Sequence, residues 1–224
     1  MKTPLLIATL ATTPIAAHSA TVVLNNKDSS GLVTTGSQAT FGGQSFILST
    51  AGAGTGDTVA ANSPLPATAT LNSITFVKAP TGSATAGQLY VKIYTGSADA
   101  TGTPVAVSSN SIDVNSATAL SDLAWTFSGS SLSTSTTYFA VFSTNNANDS
   151  TGTDGVGARI AAANFGGGFV STYSGGTAFN ANSPTPAGVA FDSRFAVTFT
   201  TVPEPSAALL GSLGLLAIFG RRRA

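Results

Sequence analysis

Apolar side chains recur at every second position in one stretch after another of this chain, and that period constrains its fold more than any other feature. In GQLYVKIYTG, Leu89, Val91 and Ile93 share one face and Tyr90, Lys92 and Tyr94 the other. DLAWTFSG gathers Leu123, Trp125 and Phe127, and SRFAVTFTT gathers Phe195, Val197 and Phe199; TTYFAVFST alternates in the same way. A strand turns successive side chains to opposite faces, so such runs bury one face and leave the other polar. Further strands are expected at 21–24, 44–49, 70–77, 105–108 and 168–173. Clusters of Gly, Ser, Asn and Pro separate the runs at fairly regular intervals, as in all-β sandwiches. Between the two ends no helical period appears. ARIAAANF allows one turn of helix at most, confined by Gly157 and by the glycines at 166–168. These patterns predict an all-β domain over residues 20–201, an antiparallel β-sandwich of jelly-roll type with about eight to ten strands.

Composition narrows the chemistry. Charged residues make up 8% of the 224, against a usual quarter or so, while 33 Thr and 28 Ser supply hydroxyls instead. Between Thr21 and Val202 the cations are Lys27, Lys78, Lys92, Arg159 and Arg194. The anions there are Asp28, Asp57, Asp99, Asp113, Asp122, Asp149, Asp154 and Asp192, so five minus eight leaves −3. That balance predicts no basic face and no nucleic-acid partner. The chain has no Cys, its one His is His18, and its one Glu is Glu204, so the body lacks all three residue types. A cysteine nucleophile, a histidine base and a histidine-bearing metal site are excluded from it. No cofactor and no enzymatic activity are expected.

The remaining candidates for a site are few. Asp113 and Asp122 flank a turn region, and nothing selects them as a catalytic carboxylate pair. In NNANDSTGTDG, oxygen ligands from Asn145, Asn148, Asp149 and Asp154 are a candidate calcium set, although the spacing is not that of the EF-hand loop. A plain Asn/Asp/Gly turn is the competing reading. Tyr90 and Tyr94, on one strand face, are a candidate stacking surface for extracellular polysaccharide, against the alternative that they cover a sheet. FGGGFVSTYSGG has no lysine and no helix after it, which excludes a phosphate loop.

The two ends read differently from the body. MKTPLLIATLATTPIAAHSA has a positive start at Lys2, an apolar stretch from Leu5 to Ala17, and an A-x-S pattern at Ala17-His18-Ser19. That is the layout of a signal peptide over residues 1–19, an N-terminal signal helix cut by signal peptidase. Residues 202–224, VPEPSAALLGSLGLLAIFGRRRA, place Pro203-Glu204-Pro205 before an apolar run of 13 residues, Ala207 to Phe219, with Arg221, Arg222 and Arg223 after it. Counting Ser206 and Gly220, 15 residues of helix cover roughly 22 Å, short of a bilayer core of about 30 Å. The arginines can snorkel, and they hold that end on the cytoplasmic side. The expectation is a short C-terminal transmembrane helix with the body outside the membrane.

Tripeptide, apolar segment and arginine cluster, in that order, resemble the PEP-CTERM sorting signal of Gram-negative bacteria. The resemblance implies recognition of Pro203, Glu204 and Pro205 by an exosortase, an integral-membrane cysteine protease that cuts near the tripeptide. It further implies Arg221–Arg223 as the membrane stop and only transient insertion in the inner membrane. Release to or attachment at the cell envelope follows, often in bacteria that form exopolysaccharide or biofilm. A softer resemblance covers roughly residues 40 to 145. QSFIL, LNSITFVKA, LYVKIYTGSADATGTPVAVSS and LAWTFSGSSLSTSTTYFAVFST, in that order, are similar to choice-of-anchor R surface domains. Phe139 departs from that pattern, where a tryptophan is common. This likeness implies a non-enzymatic surface module.

Overall fold

The computed structural model describes residues 19–27, 38–51, 65–81, 87–96, 102–148, 155–162, 173–180 and 192–201. Contacts within Ala20–Val202 make one compact unit. Its strands are β1 (Ala20–Asn25), β2 (Gln38–Ile47), β3 (Thr68–Val77), β4 (Gln88–Thr95), β5 (Ala106–Val107) and β6 (Ile112–Asp113). They continue with β7 (Asp122–Ser133), β8 (Thr137–Ser143), β9 (Ala158–Ala161), β10 (Ala178–Asn180) and β11 (Phe195–Thr201). A single 3-10 turn, Leu48–Thr50, follows β2, and there is no α-helix among the described residues. The helices expected at the two ends lie outside those residues.

Two antiparallel sheets form. One has the order β1-β11-β3-β7, the other β10-β2-β8-β4-β5, with β6 also on β4 and β9 also on β2. Leaving aside the three accessory strands β6, β9 and β10, the first strand pairs with the last and the second with the second from last (β1 with β11, β2 with β8). The third pairs with the third from last, and the fourth with the fifth (β3 with β7, β4 with β5). The pairing is that of one long antiparallel ribbon rolled into two layers.

Alternation along the strands explains which faces meet. In β7, Leu123, Trp125 and Phe127 are buried and the residues between them exposed. One bulge shifts the phase of two strands together. Leu71 of β3 pairs with Ser130 and Ser73 with Thr126, so Asn72 stands opposite three residues of β7. Gly129, at φ +72°, supplies the left-handed backbone there that a side chain disfavours. Beyond the bulge both strands turn apolar residues inward again, Leu71 in one and Leu132 in the other. Between the sheets, Phe142 of β8 lies 4.9 Å from Phe76 of β3 and 5.6 Å from Trp125 of β7, centroid to centroid. The Trp125 indole Nε1 donates to the Leu89 carbonyl of β4 at 2.8 Å, tying the layers together across the buried core.

Two local expectations change. Ala158–Ala161, the start of ARIAAANF, is strand, not helix: β9 pairs with the first half of β2, Gln38 with Ala161 through Phe41 with Ala158. Ala158, Ile160 and Ala161 are all buried there, and small side chains let this short strand pack closely. The second strand also begins six residues before the predicted start at 44, running through Gly42-Gly43. Residues 168–172 of the strand expected at 168–173 lie outside the described residues.

Candidate functional site

Each candidate residue has a definite setting or lies outside the described part. Tyr94 is 1% exposed and packs with Val141, Phe179 and Phe139, so it is no exposed stacking surface. The expectation that it stacks on sugars is corrected by this burial. The face of β4 that carries Lys92 and Tyr94 is covered, both residues being fully buried. Tyr90 is half-buried beside Ser143. Asn145 builds a local turn: its Oδ1 accepts from Ala147 N at 3.0 Å and its carbonyl from Ser143 Oγ at 3.0 Å. Asn148 is exposed, whereas Asp149 and Asp154 lie outside the described residues. No group of three or more His, Cys, Asp or Glu side chains that could hold a metal occurs among the described residues.

The described aspartates have structural partners. Asp113 Oδ1 accepts from the amides of Asn115 and Ser116, closing the turn after β6. Asp122 pairs with Lys27 at 2.6 Å. Asp192 is fully buried and accepts from Gln44 Nε2 at 3.1 Å and from Tyr173 N at 2.9 Å. Gln44 Oε1 in turn accepts from both the amide and the hydroxyl of Ser193 at 2.9 Å. Asn26 Nδ2 donates to the Ser193 carbonyl. This buried polar network pins the lead-in to β11 against β1 and β2, and its satisfied geometry suits a structural clamp.

At the other end of β11 the described chain finishes. Thr201 pairs with Ala20 of β1 and with Ala69 of β3, so the last strand is held on both sides up to its final residue. Its hydroxyl donates to the Ala20 carbonyl at 3.3 Å. Only Val202 separates Thr201 from Pro203-Glu204-Pro205. A family model described as the PEP-CTERM protein-sorting motif matches residues 201–223. The chain carries a PEP-CTERM sorting signal. That signal implies processing by an exosortase and export to the cell envelope or the extracellular space. Pro203, Glu204, Pro205 and the arginines at 221–223 fall within the match and outside the described residues. No curated protein and no solved structure matches the chain.

Backbone pairing brings the segments that carry Lys27, Lys78, Arg159 and Arg194 to one corner of the sandwich. Val77 N donates to the Arg194 carbonyl at 3.0 Å, and Arg194 N to the Ala161 carbonyl at 2.8 Å. Ala79 N donates to the Arg159 carbonyl at 3.1 Å, and Lys78 bridges Ile160. Arg194 Nε donates to the Lys27 carbonyl at 2.6 Å. Burial lowers the Lys78 ammonium below its usual pKa, and the nearby Arg159 charge lowers it further. No sequence signal announces this corner, because its residues come from four separate segments.

Proposed function

We propose that this chain is a non-enzymatic cell-surface or matrix protein, exported through a signal peptide over residues 1–19 and sorted by an exosortase. The observation that carries the reading is the sorting motif at 201–223, beginning where the last strand ends. Ala20, the residue after the proposed signal peptide, is the first of β1 and lies beside Thr201. A body trimmed at both ends would keep every described strand intact. The C-terminal apolar segment then serves as a temporary hold in the inner membrane of a Gram-negative cell. Supporting the absence of catalysis, Asp113, Asp122 and Asp192 are each engaged in a turn, an ion pair or a buried clamp.

For the body we propose a jelly roll. Its support is the ribbon pairing of first strand with last, inward to fourth with fifth, rolled into two sheets. The order of the strand texts between residues 40 and 145 supports reading it as a surface module similar to choice-of-anchor R domains.

Intact mass spectrometry of protein from the native envelope tests the function. The expected mass lacks residues before Ala20 and is cut near the tripeptide. Replacing Pro203, Glu204 and Pro205 together by alanine should leave the C-terminal segment attached. A full-length mass from the cytoplasmic fraction, or normal processing of the triple variant, would refute the reading.

A further inference from the structure

A sheet edge carries a row of unpaired backbone groups, and three of the four outermost strands of this sandwich are blunted by one device or another. In the second sheet those strands are very short, three residues in β10 and two in β5. In the first sheet a neighbouring segment caps the β7 edge. Ser109 N donates to the Thr126 carbonyl at 2.8 Å, Asn110 Oδ1 accepts from Thr126 N at 2.8 Å, and Asn110 Nδ2 donates to the Ala124 carbonyl at 3.0 Å. Further along, β7 bulges at Gly129, and the Tyr138 hydroxyl accepts from Ser133 N at 2.8 Å. The opposite edge, β1, has no such device. Asn26 N donates to the Phe195 carbonyl at 2.8 Å, which sets the phase of the ladder between β1 and β11. Ala20, Val22 and Leu24 therefore exchange backbone bonds with β11, whereas Thr21 and Val23 turn their N–H and C=O groups away from it. Among the described residues nothing bonds to those four groups. The strand text ATVVLN holds no charge, proline or glycine, and Thr21 is exposed and Val23 half-buried.

We propose that β1 is a self-pairing edge: two copies of this chain join antiparallel through β1, across a twofold axis at Val22, into one continuous eight-stranded sheet. In this register Thr21 of each copy stands opposite Val23 of the other, and the outward groups of these two residues satisfy one another. Val22 meets its own counterpart and Ala20 meets Leu24, so the row facing the core stays apolar. Thr21 and Val23 stay on the outer face, beside Thr200 and Thr198 of β11. The pattern of β1 selects a second copy as the occupant. It matches itself face for face, and with no charge in residues 20–25 two copies place no like charges opposite each other. A twofold contact uses the same edge of both copies, and the other described edges are blunted, so assembly closes at two copies instead of growing.

The test uses the full chain in a neutral detergent, with sedimentation equilibrium for the mass and amide hydrogen exchange by NMR for the place of contact. As protein concentration rises, the protein mass should move from 22.1 kDa toward twice that value. The shift should persist at high salt, because the contact contains no charge. Over the same range exchange at the Thr21 and Val23 amides should slow, by about tenfold once about nine chains in ten are paired. The Val22 and Leu24 amides, already bonded to β11, should not respond. Val23→Pro removes an outward donor and no bond to β11, so it should abolish the dimer and keep the fold. Val23→Lys adds the charge that natural edges use against pairing and should weaken the dimer. Both variants leave the apolar ends untouched, so a mass shift that survives in folded Val23→Pro arises elsewhere and overturns the proposal. Should Val23→Pro unfold, Val23→Lys and the exchange pattern of the unaltered chain decide. A single-chain mass at every concentration would also overturn it. So would exchange at Thr21 and Val23 that ignores concentration, whether fast, as on an open edge, or slow, as under another strand of the same chain.

Discussion

Replacing Trp125 by phenylalanine should weaken the fold by an amount the geometry sets. The indole is fully buried, 6.0 Å from Phe76 in its own sheet and 5.6 Å from Phe142 in the facing one. Its N–H reaches the Leu89 carbonyl across the layers at 2.8 Å. Phenylalanine keeps a six-membered ring but deletes that donor and the pyrrole edge. Losing the hydrogen bond costs about 1 kcal/mol net. The unfilled space in a close-packed interior adds about 1–2 kcal/mol, so the sum is about 2–3 kcal/mol. For a domain of this length that is a fall of roughly 4–12 °C in Tm. Trp125→Ala should cost more, about 3–5 kcal/mol. Urea denaturation followed by far-UV circular dichroism is the suitable assay, because the substitution removes the only tryptophan. Phe76→Leu is the comparator: it disturbs packing at the same place without touching a cross-sheet hydrogen bond, at a cost of about 1 kcal/mol. If Trp125→Phe cost no more than Phe76→Leu, the claim that the indole ties the two layers together would be wrong.

Gly43→Ala should destabilise by about 3 kcal/mol, since a methyl there overlaps the Ala140 carbonyl and the Phe179 ring, and backbone cannot give way cheaply; the urea midpoint reads it. Gln44→Leu strips Ser193 N and Asp192 of buried partners, at about 2–4 kcal/mol, and hydrogen exchange at the Ser193 amide should quicken. Because the folded Lys78 pKa lies below 10.5, the folded state binds fewer protons than the unfolded one in that window. Stability from this group therefore rises as pH climbs toward 10.5 and is lost as pH falls through the lowered value. Arg159→Gln removes part of the cause, so its stability relative to the natural chain should be greatest near pH 7 and decline toward pH 10.5 in parallel urea titrations; a constant difference would contradict the coupling. Inserting a short Gly-Ser spacer after Thr201 should speed C-terminal processing of the folded protein, read by mass spectrometry over time, because only Val202 now separates a doubly paired strand from the tripeptide.

The closeness of Ala20 and Thr201 has a physical consequence for the exported body. Both residues sit at one end of the same sheet, joined by strand pairing and by the Thr201 hydroxyl. A pull on the tail after Thr201 loads β11 along its axis, between β1 and β3. Antiparallel bonds to two neighbours then share the load in shear rather than parting one after another. At the far end the lead-in to β11 is fixed by Gln44, Asp192, Ser193 and Asn26. A strand on whose last residue the sorting motif begins is thus held on both flanks and at its base.

Much of the strand content was legible because burial on one face leaves a period of two. Leu123, Trp125 and Phe127 announce β7, and Phe195, Val197 and Phe199 announce β11. Where the period failed, a specific contact had replaced it. Gly42-Gly43 looks like a loop, yet β2 runs through it because Gly43 must let the Ala140 backbone and the Phe179 ring approach. Ala161 and Ala162 offered helix propensity, but β9 gains more by pairing with Gln38–Phe41, so tertiary pairing overrides local preference. Tyr94 fell on the polar face of β4 by alternation and is nevertheless buried, because Val141, Phe139 and Phe179 from neighbouring strands of the same sheet form a second apolar cluster with it. The sorting motif at 201–223 was legible, since it is one contiguous stretch of text. The meeting of the segments that carry Lys27, Lys78, Arg159 and Arg194 was not, for the opposite reason: the four are scattered from 27 to 194, and only long-range pairing brings their backbones together.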